Sequence, residues 1–516
     1  DPDNGQTVDQ LDYKTGIRQM SYRDIDTETK LYVNGKRVTP LGGNWGFSET
    51  NLNYRAREYD IAVGYHRQMN YNMIRNWVGQ IGDEEFFDAC DKHGIMVWQD
   101  FWLANPWDGP DPLDNNMFMT NAHDFVMKIR RHPSVAIYVG RNEGYPPQTL
   151  DKALRSEVAK SHPQLGYISS SADDGVSGHG AYQLMPVSYY FREQSRKLHS
   201  ERGLPNVPSY ESLSRMLAPA DLWPVGLPWA QHDFTMGGAQ SARSFIKTME
   251  QHFGPATDAR QFAARAQWVN YDGYRAMYEG AQQYRMGLLI WMSHACWPST
   301  VWQTYDYYFE PTAAYFGVKK ACEPLHVQYN PTTHGVQVVN MGAGNRKAMT
   351  LKAQTISMRG KVIKEWTRTI DSHEDSTLEA LTLTLPTDEV YFIRLTLADD
   401  NGLLSENTYV ESRETDQWQA LNTLPAVKLT TTTRFTRQGE TARGTITLKN
   451  PNDVPALMIR LNLKGDDGQQ ILPVIYSDNY FHLMPGEERT VSVSYQLEDG
   501  RGTTPEIKVE GFNMKE

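Results

Sequence analysis

The sequence predicts a multidomain α/β plus all-β protein: a (β/α)8 TIM barrel followed by two immunoglobulin-like β-sandwiches. Three observations carry this. From about residue 38 to 325 short apolar strands alternate with helices of 3.6-residue periodicity. Eight strand candidates fall in that span, the number that closes a barrel of βα units. Beyond about residue 331 the apolar spacing changes to two, in short segments parted by Gly, Asn and Asp.

The first four strands read VTPLGGNWG, YNMIRNWVG, IMVWQDF and VAIYVGRNE. A helix begins near Asp83, a fitting N-cap, turns Phe86, Phe87 and Cys90 inward, and ends at Gly94, which takes a left-handed C-terminal position without strain. After IMVWQDF, Phe118, Ala122, Phe125 and Ile129 share one helix face before His132-Pro133 stops it. GYISSS, MPVSYYF, KLHSERG and GLLIWMSHACW complete the eight, the last preceded by a long helix through Phe262, Ala266, Val269, Gly273 and Met277. An open doubly wound sheet would want G-x-G-x-x-G after an early strand, and none stands there. The first sandwich is read from VQVVN to VYFIRLTLAD, the second from AVKLTTTTRF to EIKVEGF. Boundaries follow at 1–27, a remnant of a preceding β-sandwich; 28–326, the barrel; 327–412; and 413–516. GIRQM before LYVNGKRV reads as the last strands of that preceding domain, so the chain is expected to lack its N-terminal part.

Composition narrows the partners. Of 516 residues 22% are charged and 40% hydrophobic, the usage of a globular protein, and the net charge of -11 without clustered Lys and Arg argues against nucleic acid. Three cysteines cannot build a disulfide framework. The apolar run MGLLIWM is far short of the roughly 20 residues that span a bilayer, so no membrane partner is expected. With no H-E-x-x-H and no paired Cys motif, neither a metal nor a cofactor is expected. GVSGHG breaks the G-x-S-x-G spacing of a nucleophile elbow and reads as a substrate loop. Aromatic residues, including 13 Trp and 28 Tyr, cluster near strand ends, where flat rings suit the C–H faces of sugars. Oligomeric state leaves no signal.

Chemistry in such a barrel sits at the C-terminal strand ends. Glu143 closes the fourth strand in VGRNEGYPP and Glu201 the seventh in LHSERGLPNVPS. Two carboxylates there can serve as acid/base and nucleophile on a glycosidic bond, provided they lie about 5 to 5.5 Å apart.

At these motifs the chain resembles glycoside hydrolase family 2, in the branch of β-mannosidases, endo-β-mannosidases and exo-β-D-glucosaminidases. The carrying stretches are LYVNGKRVTPLGGNWG, YNMIRNWVGQIGDEEFFDACDKHGIMVWQDFW, RRHPSVAIYVGRNEGYPP, SERGLPNVPSYESL and the run from AQWVNYDGYRAMYEG to WPSTVWQTYDYYFEPTAAYFGVKKACEPLHVQYN. ILPVIYSDNYFHLMPGEERTV is similar to the C-terminal module of the exo-glucosaminidases.

The resemblance implies retaining hydrolysis of β-glycosides, with Glu143 as acid/base and Glu201 as nucleophile. Asn142 would bond the sugar's 2-hydroxyl, and Arg75 would keep the nucleophile ionised. Asp100 and Trp102 in WQDFW match the pocket floor, and Trp77, His179 and Trp291 complete the implied substrate contacts. Two departures bear on the sugar. The acid motif is Asn-Glu where exo-glucosaminidases carry Ser-Asp, and Trp77 stands where an acidic residue could hold an amino group. WMSHACWP in place of the WQLNDPWP type also alters the contacts expected of Ser293 and His294.

The leading expectation is an exo-acting enzyme of the β-mannosidase type on an oligosaccharide or glycoconjugate, secreted or periplasmic. An exo-β-D-glucosaminidase, a β-galactosidase or α-L-arabinopyranosidase on the same machinery, and an inactive carbohydrate-binding homologue are the alternatives.

Overall fold

The computed structural model describes residues 4, 6–10, 12, 14–46, 54–237, 241–414 and 417–515. Of the expected N-terminal remnant, residues 1–3, 5, 11 and 13 therefore lie outside the described set.

Eight parallel strands form one sheet. In chain order they are Leu41–Trp45, Met73–Asn76, Met96–Asp100, Val135–Arg141, Gly166–Ser170, Val176–Ser177, Leu198–His199 and Leu288–Ile290. Hydrogen-bonded neighbours run fifth, fourth, third, second, first, eighth, seventh, sixth, so the barrel is nearly closed and its seam lies between the fifth and sixth. With helices outside and packed side chains inside, the strand bodies are largely apolar; every residue of Val135–Arg141 is buried. Close approach is set by small residues. A Cβ on Gly42 would stand 1.7 Å from the Met73 carbonyl of the neighbouring strand, and one on Gly317 would stand 2.4 Å from the Tyr271 carbonyl where helix Ala313–Ala321 meets helix Ala259–Gln282.

Two expectations change. The segment MPVSYYF is a helix, Val187–Arg192, that turns Tyr190 and Phe191 into the core; its alternating pattern is overridden by Pro186 at the N-cap position. The sixth strand is instead the two-residue Val176–Ser177, within the stretch read as a substrate loop. Asp83 does occupy the N-cap of helix Glu84–His93, yet its side chain makes no capping bond and accepts the Tyr59 hydroxyl at 2.6 Å. Gly94 ends that helix at φ 69°, as its lack of a side chain allows.

Strands Met20–Arg23, Lys30–Val33 and Lys36–Val38 form an antiparallel sheet over the N-terminal end of the barrel. Tyr22 donates to the Ala136 carbonyl, and Arg18 to the carbonyls of Pro133 and Val135, all at the start of the fourth strand. This is the end opposite the C-terminal ends of the barrel strands.

After the barrel come two antiparallel sandwiches. The first faces a three-stranded sheet (Leu325–Asn330, Gly335–Asn340, Ser376–Thr382) with a four-stranded one (Arg346–Ser357, Val362–Ser372, Val390–Asp399, Gly402–Ser412) around a core of its own. The second, from Thr430 to Glu510, shares one continuous apolar core with the barrel. Trp268 of the long barrel helix meets Trp418 and Phe512 at ring-centroid distances of 5.8 and 5.2 Å. Arg460 crosses the same junction to Glu211 and Glu310 of the barrel at 3.0 and 2.5 Å. A buried guanidinium facing several carboxylates fixes the docking geometry even where it adds little net stability. Among the described residues no helix is long and apolar enough to cross a membrane.

Candidate active site

Apolar strand bodies give way at their C-terminal ends to buried polar residues: Asn44, Arg75, Asn76, Asp100, Arg141, Asn142, Ser170, His199 and Glu201. Buried polar groups cost free energy unless bonded, so such a ring marks the functional end of the barrel.

Its centre is Arg75, fully buried at the end of the second strand. Nη1 donates to Glu201 Oε1 at 2.6 Å, Nε and Nη2 to Asp100 Oδ2 at 3.0 and 2.8 Å, and Nη2 also to Asn142 Oδ1 at 2.7 Å. One guanidinium thus ties the ends of the second, third, fourth and seventh strands. Asp100 spends its remaining capacity on the Trp98 indole N–H (2.7 Å) and the Val78 amide (3.0 Å). It is 1% exposed and braces Arg75 from behind.

The two glutamates meet at one hydroxyl. Tyr182 Oη lies 2.7 Å from Glu201 Oε2 and 3.1 Å from Glu143 Oε1, so these two carboxylate oxygens are separated by at most the sum of the two distances, 5.8 Å. This matches a retaining pair, at about 5 to 5.5 Å, better than an inverting pair at about 6.5 to 9.5 Å.

Their surroundings differ. Glu201 is 3% exposed; burial is the strongest influence on its carboxyl and raises it to about 7, with the Arg75 charge holding it down and the Glu143 charge adding to the rise. Glu143 is only partly buried and sits at φ 43°, a left-handed backbone that a side-chain-bearing residue rarely adopts. The turn is held by the Glu143 amide donating to Ser171 Oγ at 3.0 Å, and Asn105 Nδ2 donates to the carboxylate at 3.3 Å. Burial, then both carboxylates, push the Tyr182 phenol far above its ordinary value, so it stays a donor.

Asn142 is fixed on three sides: its oxygen accepts from Arg75 and Ser171 Oγ (3.3 Å), and its amide donates to Asn105 at 3.1 Å. His179 is half exposed, with Nδ1 3.5 Å from Glu143 and Nε2 3.6 Å from Asp173. Trp77 and Trp291 meet edge to face at 4.8 Å, and Trp302 continues the wall, 6.2 Å from Trp291 and 6.0 Å from the Tyr182 ring. The Trp77 indole N–H is buried without a protein acceptor among the described residues. Trp102 stands apart. It donates to the Gly79 carbonyl at 3.1 Å and packs on Phe118 and Phe125 of the outer helix. Ser293 and His294 are turned inward, to His66 (2.7 Å) and Tyr54 (2.9 Å).

Sequence reasoning missed Tyr182, Asn105 and Ser171. All three sit on or beside loops without periodicity, Tyr182 three residues past the His179 that was singled out. A cluster of Asp88, Asp91 and His132 is held by an Asp91–His132 bond of 2.8 Å on the outer helices, away from this site.

The chain is similar to several known proteins. A model of the exo-β-D-glucosaminidase Ig-fold domain matches residues 407–514. The chain is 26% identical to a mannosylglycoprotein endo-β-mannosidase of Lilium longiflorum, covering 98% of this chain and 66% of that protein. It is 26% identical to an exo-β-D-glucosaminidase of Streptomyces avermitilis, covering 97% and 62%. The chain thus spans less than two thirds of the length of either relative. Its fold matches the crystal structure of the Amycolatopsis orientalis exo-chitosanase CsxA with a TM-score of 0.89 at 22% identity, over 97% of this chain and 66% of that one. These similarities point to glycoside hydrolase family 2, in the branch that holds the β-mannosidases, endo-β-mannosidases and exo-β-D-glucosaminidases.

Proposed function

We propose that the chain is a retaining, exo-acting β-glycosidase of the β-mannosidase type. The observation that carries this is the single Tyr182 hydroxyl spanning Glu143 and Glu201 at the barrel mouth. In the first step the Glu201 carboxylate attacks the anomeric carbon as Glu143 gives its proton to the departing glycosidic oxygen; the carbon–oxygen bond breaks and a glycosyl ester on Glu201 forms. In the second, Glu143 takes a proton from water, which attacks the same carbon and frees Glu201. Arg75 and Tyr182 stabilise the nucleophile's charge before attack and the leaving carboxylate afterwards. Asn142, held by Arg75, Ser171 and Asn105, presents its amide to the sugar's 2-hydroxyl, and Trp77, Trp291 and Trp302 wall the glycone.

A second reading, exo-β-D-glucosaminidase, is favoured by the Ig-fold match at residues 407–514. Against it, Trp77 stands where an amino sugar would want a carboxylate, and Asp100 is wholly committed to Arg75, Trp98 and Val78. An oligosaccharide or glycoconjugate substrate goes with a secreted or periplasmic place for the enzyme. Assay of aryl β-D-mannoside, β-D-glucosaminide, β-D-galactoside and α-L-arabinopyranoside decides among the sugars. Release fastest from the mannoside supports the reading; release from none contradicts it and leaves a carbohydrate-binding protein.

A further inference from the structure

The glycone side of the site is walled, but the other side carries exposed rings. The loop from Leu103 to Asp114 is bonded to the segment that bears Glu143. The Asn142 amide donates to the Leu103 carbonyl at 3.0 Å, and Arg141 reaches the Ala104 carbonyl (2.7 Å), the Gly109 carbonyl (3.2 Å) and Asp111 (2.5 Å). At its tip Pro106 is so close to Gly144 that a Cβ there would stand 2.9 Å from the proline ring. The next residues along the two loop segments of this contact are Trp107 and Tyr145, 69% and 48% exposed. Burial and then the nearby Asp174 and Asp173 push the Tyr145 phenol up to about 12, while Trp107 stands free of ring contacts among the described residues.

Exposed aromatic residues beside a catalytic group call for an occupant, since apolar surface left open at a site is the usual mark of a ligand groove. The chemistry names it. Glu143 delivers its proton to the leaving oxygen, so whatever is attached to that oxygen lies on the Glu143 side. Flat rings there suit the C–H face of a further sugar. We propose that Trp107 and Tyr145 form a platform for the sugar on the leaving-group side, so that the natural substrate is an oligosaccharide or glycan chain and not a simple glycoside. The inference rests on the glycosidase reading given above.

The test compares two substrates of whichever glycone the full chain releases: the β-glycosyl fluoride, which has no sugar to stack, and the matching β-linked tetrasaccharide. Trp107→Ala should lower kcat/KM on the tetrasaccharide by roughly tenfold or more while changing the fluoride by less than about twofold. Trp107→Phe should recover part of the loss. An equal loss on both substrates, or none on the tetrasaccharide, overturns the platform and leaves the glycosidase reading standing. Failure of the wild-type chain to turn over mannosyl, glucosaminyl or galactosyl fluoride sinks both.

Discussion

The ends of the fourth and seventh barrel strands each carry one glutamate, and the protein treats them in opposite ways. Glu201 is buried, bonded at 2.6 Å to a guanidinium and at 2.7 Å to a phenol. Glu143 is more open, leans on the neutral donors Asn105 and Tyr182, and hangs from a strained turn that aims it across the mouth. A nucleophile needs its charge held in place and water kept away; an acid/base needs access to the leaving group and then to water. The contrast supports the proposed roles, and it can be attacked at each end.

The largest effect should come from the seventh-strand end. Glu201→Gln removes the nucleophile and should cut turnover of every substrate by on the order of 10^4-fold or more. At the fourth-strand end Glu143→Ala should be selective. Poor leaving groups should lose about 10^2 to 10^4-fold, activated aryl glycosides much less, and azide should restore turnover by giving a β-glycosyl azide. Equal losses for good and poor leaving groups would exchange or abolish the assigned roles.

Arg75→Met should cost on the order of 10^2-fold, since a charged donor to the nucleophile is lost and Asp100 and Glu201 are left unbalanced. Its sharper signature is in the pH profile. Glu201 attacks only when ionised, and its carboxyl is raised to about 7, so the acidic limb of kcat/KM should climb as pH rises towards 7. Arg75 opposes that rise, so in Arg75→Met the acidic limb should move to higher pH; a limb that moves lower would contradict the electrostatic account. Tyr182→Phe should give the smallest change, about 10 to 100-fold, with the limb displaced in the same direction because a hydrogen bond to the charged form is gone.

Much of this was legible in the residues. The first four strands and the long helix Ala259–Gln282 announce themselves by unbroken apolar runs and by periodicity, and both glutamates follow strand signals. The sixth strand did not, because two residues are too few to show a pattern, whereas MPVSYYF shows a false one. Tyr182 and Asn105 were hidden for a related reason: loop residues acquire their role from where the barrel brings them, 39 and 38 positions from Glu143 in sequence. Asp100 was found as a site residue, but only its bonds to Arg75, Trp98 and Val78 show that it works behind the arginine.

The central claim is that two carboxylates at most 5.8 Å apart at their nearest bonded oxygens act by double displacement. Proton NMR of the sugar first released from a β-glycoside, taken before mutarotation, tests it most directly. The account predicts the β-anomer, the product of two inversions; an initial α-anomer would mean a single displacement and would contradict it.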